Sequence, residues 1–157
     1  MAYKPQIGTP LQDMDTPALL IDLDALERNI QKMAAFFEDK AAVLRPHIKT
    51  HKCPQIAHRQ LEAGAIGITC AKVSEAEVMA EAGLDDILIA NQVNGPVKID
   101  RLTDLARRCD LMVAVDDLEN VAQQIFIISQ SDMECLDAKS HCQNPTPGVR
   151  KFLPGNL

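Results

Sequence analysis

The sequence contains no tryptophan, a single tyrosine and no long apolar run, and these absences narrow the possible classes of protein. A helix that crosses a bilayer needs roughly 20 consecutive, mainly apolar residues, and none of the 157 residues belong to such a run. The first 13 residues are polar and lack the apolar stretch of a secretion signal. We therefore expect a cytoplasmic protein that does not enter a membrane.

Basic residues are also scarce relative to acidic ones. The chain has 16 Lys and Arg residues against 22 Asp and Glu residues, a formal net charge of −6. This balance argues against nucleic acid as a partner, because phosphate binding requires clustered positive charge. The five cysteines include no C-x-x-C pair. Cys53, Cys70 and Cys109 lie in segments of regular apolar spacing, which predicts reduced, partly buried thiols.

What the sequence does contain is an alternation of short apolar runs with amphipathic helical stretches, from residue 18 to about residue 124. Strands are predicted at 18–23, 43–49, 66–71, 86–90 and 111–115, each followed by a helix. Capping boxes are predicted for two of these helices, with Asp24 and Glu27 in one and Ser74 and Glu77 in the other. This order is typical of βα units on a parallel sheet, either doubly wound or a (β/α)₈ barrel.

The regular spacing of apolar residues ends after Gln124, and residues 129–157 show neither a helical nor a strand period. Cys135, His141 and Cys142 lie in this region, but their spacing does not supply the four ligands of a structural zinc site, so no metal site is predicted. We expect a partial barrel over residues 1–124 and an irregular, flexible tail over residues 125–157 that does not derive from the same ancestral segment.

Residues 45–52, which read R-P-H-I-K-T-H-K, are the segment whose side chains are the strongest candidates for catalysis or binding. Side chains alternate along a strand, so Arg45, His47 and Lys49 share one face, and Leu44, Pro46 and Ile48 share the other. In a barrel the cationic face points inward. Crowded positive charge and desolvation favour a neutral Lys49 amine, which is the form that attacks an aldehyde. A solvated basic loop is the alternative interpretation, and His51 and His58 are predicted to be surface residues.

The segments at residues 15–24 and 45–52 together resemble the opening of the D-threonine aldolase and D-serine dehydratase family. The likeness continues through residues 69–77 and 86–92 and covers roughly residues 13–124. The resemblance implies the alanine-racemase fold, a (β/α)₈ barrel followed by a β domain. About four βα units of the barrel are expected here, with strands near residues 43, 66, 86 and 111, whereas the strand at 18–23 joins the second domain in this fold.

The resemblance also implies a cofactor and a reaction. The lysine of the family's R-P-H-x-K-T-H-K run carries pyridoxal 5′-phosphate (PLP) as a Schiff base, and that lysine is Lys49 here. PLP then acts as an electron sink on a β-hydroxy D-amino acid, with a divalent metal, Mn or Zn, near the β-hydroxyl. The metal ligands belong to the family's C-terminal domain, which has no counterpart here. Arg45, His47, Thr69 and Gln92 are further candidates for contacts with the cofactor. Thr69 and Gln92 lie at the C-terminal ends of their predicted strands, where barrel enzymes build their active sites, although each could also be an ordinary polar residue at the edge of a loop.

A complete barrel of this type takes about 250 residues. We therefore expect this chain to be a truncated and inactive form of a lyase, either an aldolase or a dehydratase, whose small-molecule partner is a D-amino acid. An open sheet edge is expected to favour homodimers or aggregation. Two other classes of function remain open, a non-catalytic PLP-binding protein and an interaction module without a cofactor.

Overall fold

The computed structural model describes residues 5–125 and 150–151, and within them helices and strands alternate as predicted. The helices are α1 (Leu23–Phe37), α2 (Pro54–Glu62), α3 (Val73–Glu81), α4 (Pro96–Ala106) and α5, which includes residues 118–125. The strands are β1 (Ile68–Cys70), β2 (Asp86–Ile89), β3 (Asp110–Val113) and β4 (Arg150–Lys151). Single 3-10 turns occur at Leu11–Asp13 and Ile48–Thr50. No helix in the described ranges has the length and apolar character needed to span a membrane.

The four strands form one parallel sheet in the order β1-β2-β3-β4. A further parallel bridge joins His47 to Thr69, on the side of β1 away from β2. Spatial order therefore follows chain order throughout. A doubly wound sheet would reverse its order at a switch point, so this arrangement is that of a barrel wall. The predicted fold class, a partial (β/α) barrel, is confirmed.

One face of the sheet forms the hydrophobic core with the helices. Facing this core are two rows of paired strand residues, Ile68, Ile87 and Leu111 in the first and Cys70, Ile89 and Val113 in the second. All six are at most 5% exposed. The helices contribute Ala57 from α2, Ala76 and Met79 from α3, and Ile99, Leu102 and Leu105 from α4. The opposite face, which we call the lumen face, carries the paired row Thr69, Leu88 and Met112.

Of the two most N-terminal predicted strands, the one at 18–23 is absent and the one at 43–49 is reduced to a single bridge. Residues 18–22 form no strand, and Leu19 and Leu20 are 93% and 52% exposed. A strand needs a partner for its backbone groups, and no described residue pairs with this run. The predicted strand at 43–49 is reduced to the single His47–Thr69 bridge. Pro46 has no N–H to donate, and the backbone turns into the 3-10 turn at Ile48.

Helix positions were predicted well, but both capping boxes are wrong. Helix α1 begins at Leu23, so its N-cap is Asp22, whose side chain accepts a hydrogen bond from the Ala25 N–H at 2.9 Å. Helix α3 begins at Val73, which places Ser74 inside its first turn rather than at the cap. The Glu77 carboxylate instead pairs with Arg101 on α4. An S-x-x-E pattern cannot distinguish a cap from a first turn when the helix starts one residue earlier.

The predicted burial of the three cysteines is confirmed. Cys70 and Cys109 are buried free thiols, and Cys53 is half-buried. Burial, followed by the charge of Glu75, raises the pKa of Cys70 to about 12. Burial is also the main reason that the pKa of Cys109 rises to about 11. Both thiols are therefore protonated core groups, since the thiolate is the reactive form.

The C-terminal region contains one feature that the sequence did not indicate. Strand β4 pairs in parallel with β3, with Arg150 opposite Met112. Two adjacent basic residues carry no alternating apolar pattern, which is why this strand could not be predicted. Cys135, His141 and Cys142 lie outside the described residues. A boundary at residue 124 and a flexible tail stay predictions.

Candidate functional site

The segment of residues 45–52 lies along the outer edge of β1. The Pro46 carbonyl accepts a hydrogen bond from the Thr69 N–H (2.7 Å), and the carbonyl of Leu44, which directly precedes the segment, accepts one from the Ile66 N–H (3.0 Å). Ile48 has no exposed surface and anchors the segment in the core. Because Ile48 points to the core, we expect the bridging residue His47 to lie on the lumen side. Lys49 follows in the 3-10 turn, just beyond this anchor.

Arg45 makes the most extensive polar contacts of the segment. Its Nη1 donates to Asp86 Oδ1 (2.8 Å) and to the Asp86 carbonyl (3.2 Å), and its Nη2 donates to Asp86 Oδ2 (3.0 Å). Gly67 lies between the two residues, and a Cβ at Gly67 would overlap Arg45 Nη1 and approach the Asp86 carbonyl oxygen to 2.6 Å. This bidentate pair spans β1 and joins the edge segment to β2 at the amino ends of the strands.

Replacing Gly67 by alanine is therefore expected to destabilise the fold by about 2 kcal/mol, the typical cost of forcing an extra group into a packed site. The measurement is the urea midpoint of Gly67→Ala, of Arg45→Ala and of the double variant. Part of the clash is with the Arg45 side chain, so Gly67→Ala should cost less in the Arg45→Ala background. Strictly additive losses would show that the glycine does not make room for the ion pair.

The other polar side chains of the segment also have partners. His47 Nδ1 accepts from the Lys49 N–H (3.2 Å), and Thr50 Oγ1 donates to the His47 carbonyl (3.4 Å). His51 Nδ1 accepts from the Cys53 N–H (3.0 Å). Burial lowers the pKa of His51, which is half-buried rather than a surface residue. Lys52 Nζ lies 3.3 Å from Glu75 Oε1.

Lys49 differs from all of these residues. Its side chain is exposed and makes no hydrogen bond or ion pair with any residue in the described part of the chain. Within residues 45–52, every other polar side chain is engaged. Within this segment, Lys49 therefore presents the one free primary amine, just beyond the point where backbone pairing with β1 ends, in a turn whose neighbours are fixed. Barrel enzymes build their active sites at the carboxyl ends of their strands.

Thr69 and Gln92, the two other candidates at strand ends, are both hydrogen-bonded to protein groups. Thr69 is buried, and its Oγ1 donates to the Arg45 carbonyl at 3.4 Å. Gln92 is exposed, and its Nε2 donates to Asp116 Oδ2 at 2.9 Å. It lines a cavity of about 210 Å³ with Ala71 and Lys72, and Lys49 is not part of that lining.

Two residues that support the segment were missed by the sequence analysis. Asp86 receives Arg45, and Glu75 receives Lys52. Asp86 begins an apolar strand and Glu75 lies in the first turn of a helix, so each is at a position where acidic residues are ordinary. Nothing in their spacing indicates the partner. Strand pairing brings Asp86 close to Arg45, which is 41 residues away along the chain, and the position of α3 brings Glu75 close to Lys52.

Comparisons with known proteins agree with this arrangement. The family model for the alanine racemase N-terminal domain matches residues 21–131. D-threonine aldolase from Arthrobacter sp. is 48% identical over 118 residues, which cover 75% of this chain and 31% of the aldolase. The chain therefore spans about a third of the length of this relative.

Solved structures show the same likeness in three dimensions. The crystal structure of D-threonine aldolase from Filomicrobium marinum superposes with a TM-score of 0.80 at 48% identity, over 84% of this chain and 36% of that one. D-threo-3-hydroxyaspartate dehydratase from Delftia sp. HT23 gives a TM-score of 0.68 at 40% identity, over 76% of this chain and 31% of that one. The chain belongs to the family defined by the alanine racemase N-terminal domain.

Proposed function

We propose that Lys49 is the attachment point of pyridoxal 5′-phosphate, and that the chain carries the cofactor-binding lysine of a lyase for β-hydroxy D-amino acids. The observation that carries the proposal is the free Lys49 amine within a segment whose other polar side chains are all engaged. The family membership and the relatives named as D-threonine aldolase and D-threo-3-hydroxyaspartate dehydratase support the substrate class.

The described residues fit the cofactor at its aldehyde. Covalent attachment requires a primary amine that is accessible and not committed to an ion pair, and Lys49 meets both conditions. Arg45, His47, Thr69 and Gln92 are engaged with protein groups. Any contact that these four make with the cofactor stays a prediction.

The residues of the segment divide the work between holding and reacting. Arg45 and Asp86 fix the amino end of the segment to β2, and Ile48 fixes its centre to the core. His47 Nδ1 accepts a hydrogen bond from the backbone N–H of Lys49 and so stabilises the turn that carries the amine. When bound, PLP supplies an electron sink for bond cleavage at the amino acid Cα. Whether the bond cleaved is Cα–Cβ or Cα–H separates an aldolase from a dehydratase.

The proposal is tested by reducing the chain with borohydride after incubation with PLP and mapping the modified peptide by mass spectrometry. We expect a pyridoxyl group on Lys49, because its amine alone in the segment is free. Lys52 is paired with Glu75 and should stay unlabelled. Labelling spread evenly over the exposed lysines would favour a cofactor-free interaction module. Specific labelling without any conversion of D-amino acids would favour a non-catalytic PLP-binding protein.

We further propose that turnover by the 157-residue chain alone is low. Its described sheet has four strands with a free edge, so the lumen face is not enclosed, and transition-state stabilisation depends on groups held in an enclosed, preorganised site. The assay is glycine or pyruvate formation from D-threonine or D-serine, with PLP and Mn or Zn. Turnover of about 1 per second or more, in the range of ordinary enzymes, would contradict this. Association through the sheet edge stays a prediction, which light scattering checks.

A further inference from the structure

The turn that carries Lys49 ends in an unusual backbone conformation. The Ile48 carbonyl accepts hydrogen bonds from the His51 N–H (3.1 Å) and the Lys52 N–H (2.7 Å), which closes the turn. Lys52 then has φ of +50°, and it is the only residue other than glycine with a positive φ in the part of the chain that the structure describes. This left-handed region normally selects glycine at the end of a helical turn. A lysine occupies this position instead, which raises the question of what its side chain contacts.

The Lys52 side chain reaches Glu75, an acidic residue with 8% exposure in the first turn of α3. Glu75 uses both of its oxygens, because Oε1 lies 3.3 Å from Lys52 Nζ and Oε2 accepts from the Ala71 N–H at 2.9 Å. A buried carboxylate is costly unless it is paired and hydrogen-bonded. Burial by itself would raise the pKa of Glu75, but the Ala71 N–H, Lys52 and Lys72 together hold that pKa below its usual value. The carboxylate is therefore charged.

The position of Ala71 gives this contact its significance. Backbone pairing between the edge segment and β1 ends at the bridge of His47 with Thr69. Lys49 is two residues beyond His47, and Ala71 is two residues beyond Thr69. Beyond the bridge, the connection from Lys52 through Glu75 to Ala71 continues the attachment of the turn to the end of β1. It takes the place of the strand pairing that the turn has interrupted.

We propose that Lys52 and Glu75 are a positioning pair that holds the Lys49 turn against the carboxyl end of β1. What Lys49 attaches rests on the proposed function, but where the turn is held does not. Lys52 thus holds the conformation of the turn, whereas Lys49 supplies the reacting amine. Glu75 provides the contact that anchors Lys52 to α3. Neither residue needs to touch the cofactor or the substrate.

The test compares two substitutions of one kind on one helix. Glu75→Gln removes the charge that faces Lys52 but keeps an oxygen for the Ala71 N–H, whereas the control Glu77→Gln removes the charge that faces Arg101 on α4. The first measurement is amide hydrogen exchange of residues 49–53 and 71, without cofactor. We expect Glu75→Gln to accelerate exchange in residues 49–53 about tenfold, the effect of losing one charge-assisted contact. Glu77→Gln should leave those amides unchanged.

The second measurement is the reactivity of Lys49 itself. Trinitrobenzenesulfonate labelling reports the amine without any cofactor, and borohydride trapping reports the rate at which PLP attaches. Glu75→Gln and Lys52→Met should both slow trapping at Lys49 about fivefold or more, and Lys52→Arg, which keeps the charge, should restore most of the rate. Lys52 is 58% exposed, so Lys52→Met keeps the test available if Glu75→Gln does not fold.

The outcomes separate this proposal from the proposed function. Equal exchange in residues 49–53 for Glu75→Gln and Glu77→Gln, or trapping rates at Lys49 that match the wild type in both Glu75→Gln and Lys52→Met, would overturn the positioning role. Absence of PLP on wild-type Lys49, together with faster exchange and altered labelling in Glu75→Gln, would remove the proposed function and leave the positioning pair standing. Rescue by Lys52→Arg supports a role for charge at this position rather than for packing alone.

Discussion

Substitution of Lys49 by alanine is expected to abolish covalent attachment of PLP, with a loss of about a hundredfold or more in trapped pyridoxyl group. The Lys49 amine is the only primary amine in residues 45–52 with no partner among the described residues, since Lys52 is paired with Glu75, so no neighbouring amine is poised to replace it. Lys49 is also exposed, and surface substitutions usually change stability by about 0.5 kcal/mol or less. The variant should therefore lose the label and keep its fold.

Lys72→Ala is the matched control for Lys49→Ala. Lys72 is an exposed lysine as well and directly precedes α3, close to the carboxyl end of β1. We expect Lys72→Ala to retain the pyridoxyl group on Lys49, and circular dichroism to give the same unfolding midpoint for both variants. The proposal for Lys49 would not survive if the label moved to Lys72 in wild type or persisted in Lys49→Ala.

Replacing Ile87 by alanine is expected to destabilise the chain by about 3 kcal/mol, within the range for large-to-small substitutions in a core. Ile87 has no exposed surface, and its strand neighbours in the pairing register, Ile68 and Leu111, are also buried. Interiors are close-packed, so the three deleted carbons leave a cavity that the strands on either side cannot collapse to fill. The measurement is the free energy of unfolding from urea titration.

Leu88→Ala is the control for Ile87→Ala because it truncates the next residue of the same strand. Leu88 lies on the lumen face and is half-buried, so its truncation should cost less than half as much, about 1 kcal/mol. The contrast tests the assignment of the two faces. Equal losses at both positions would show that the lumen face is packed as tightly as the core, contrary to an open barrel wall.

Most of the fold was predictable because it follows from local periodicity. The strands predicted at 66–71 and 86–90 contain β1 and β2, the strand predicted at 111–115 overlaps β3, and each of the three is followed by a helix as predicted. The two failed strands have different causes. Residues 18–22 have the apolar content of a strand, but a strand exists only when a partner supplies hydrogen bonds, and partners are not encoded in the run itself. Residues 43–49 do lie beside β1, but Pro46 lacks an N–H and the backbone turns at Ile48. The choice of Asp22 rather than Asp24 as N-cap depended on where the helix backbone begins.

Of the candidate site, the sequence predicted the segment and its alternation. Ile48 is buried in the core as that alternation predicted, and Lys49 is the free amine of the segment. A common inward face for Arg45 and His47 stays a prediction. Sequence could not predict that Arg45 is committed to Asp86 or that Gln92 is bound to Asp116. Both contacts join residues that are more than twenty positions apart along the chain, and their charges alone offer several equivalent partners.

The sequence by itself determined the family and the order of βα units, and it singled out Lys49 as the candidate lysine. These properties are set by residue types at short spacings, such as R-P-H-I-K-T-H-K and the apolar runs. Only the tertiary structure decided which of the polar residues are engaged. Parallel pairing places Gly67 and Asp86, and the position of α3 places Glu75, beside a segment that is distant in the chain. Lys49 is distinguished from Lys52 by that arrangement. The Lys52 amine lies within reach of the buried Glu75 carboxylate, whereas the Lys49 amine has no such partner among the described residues. The fold alone sets these distances.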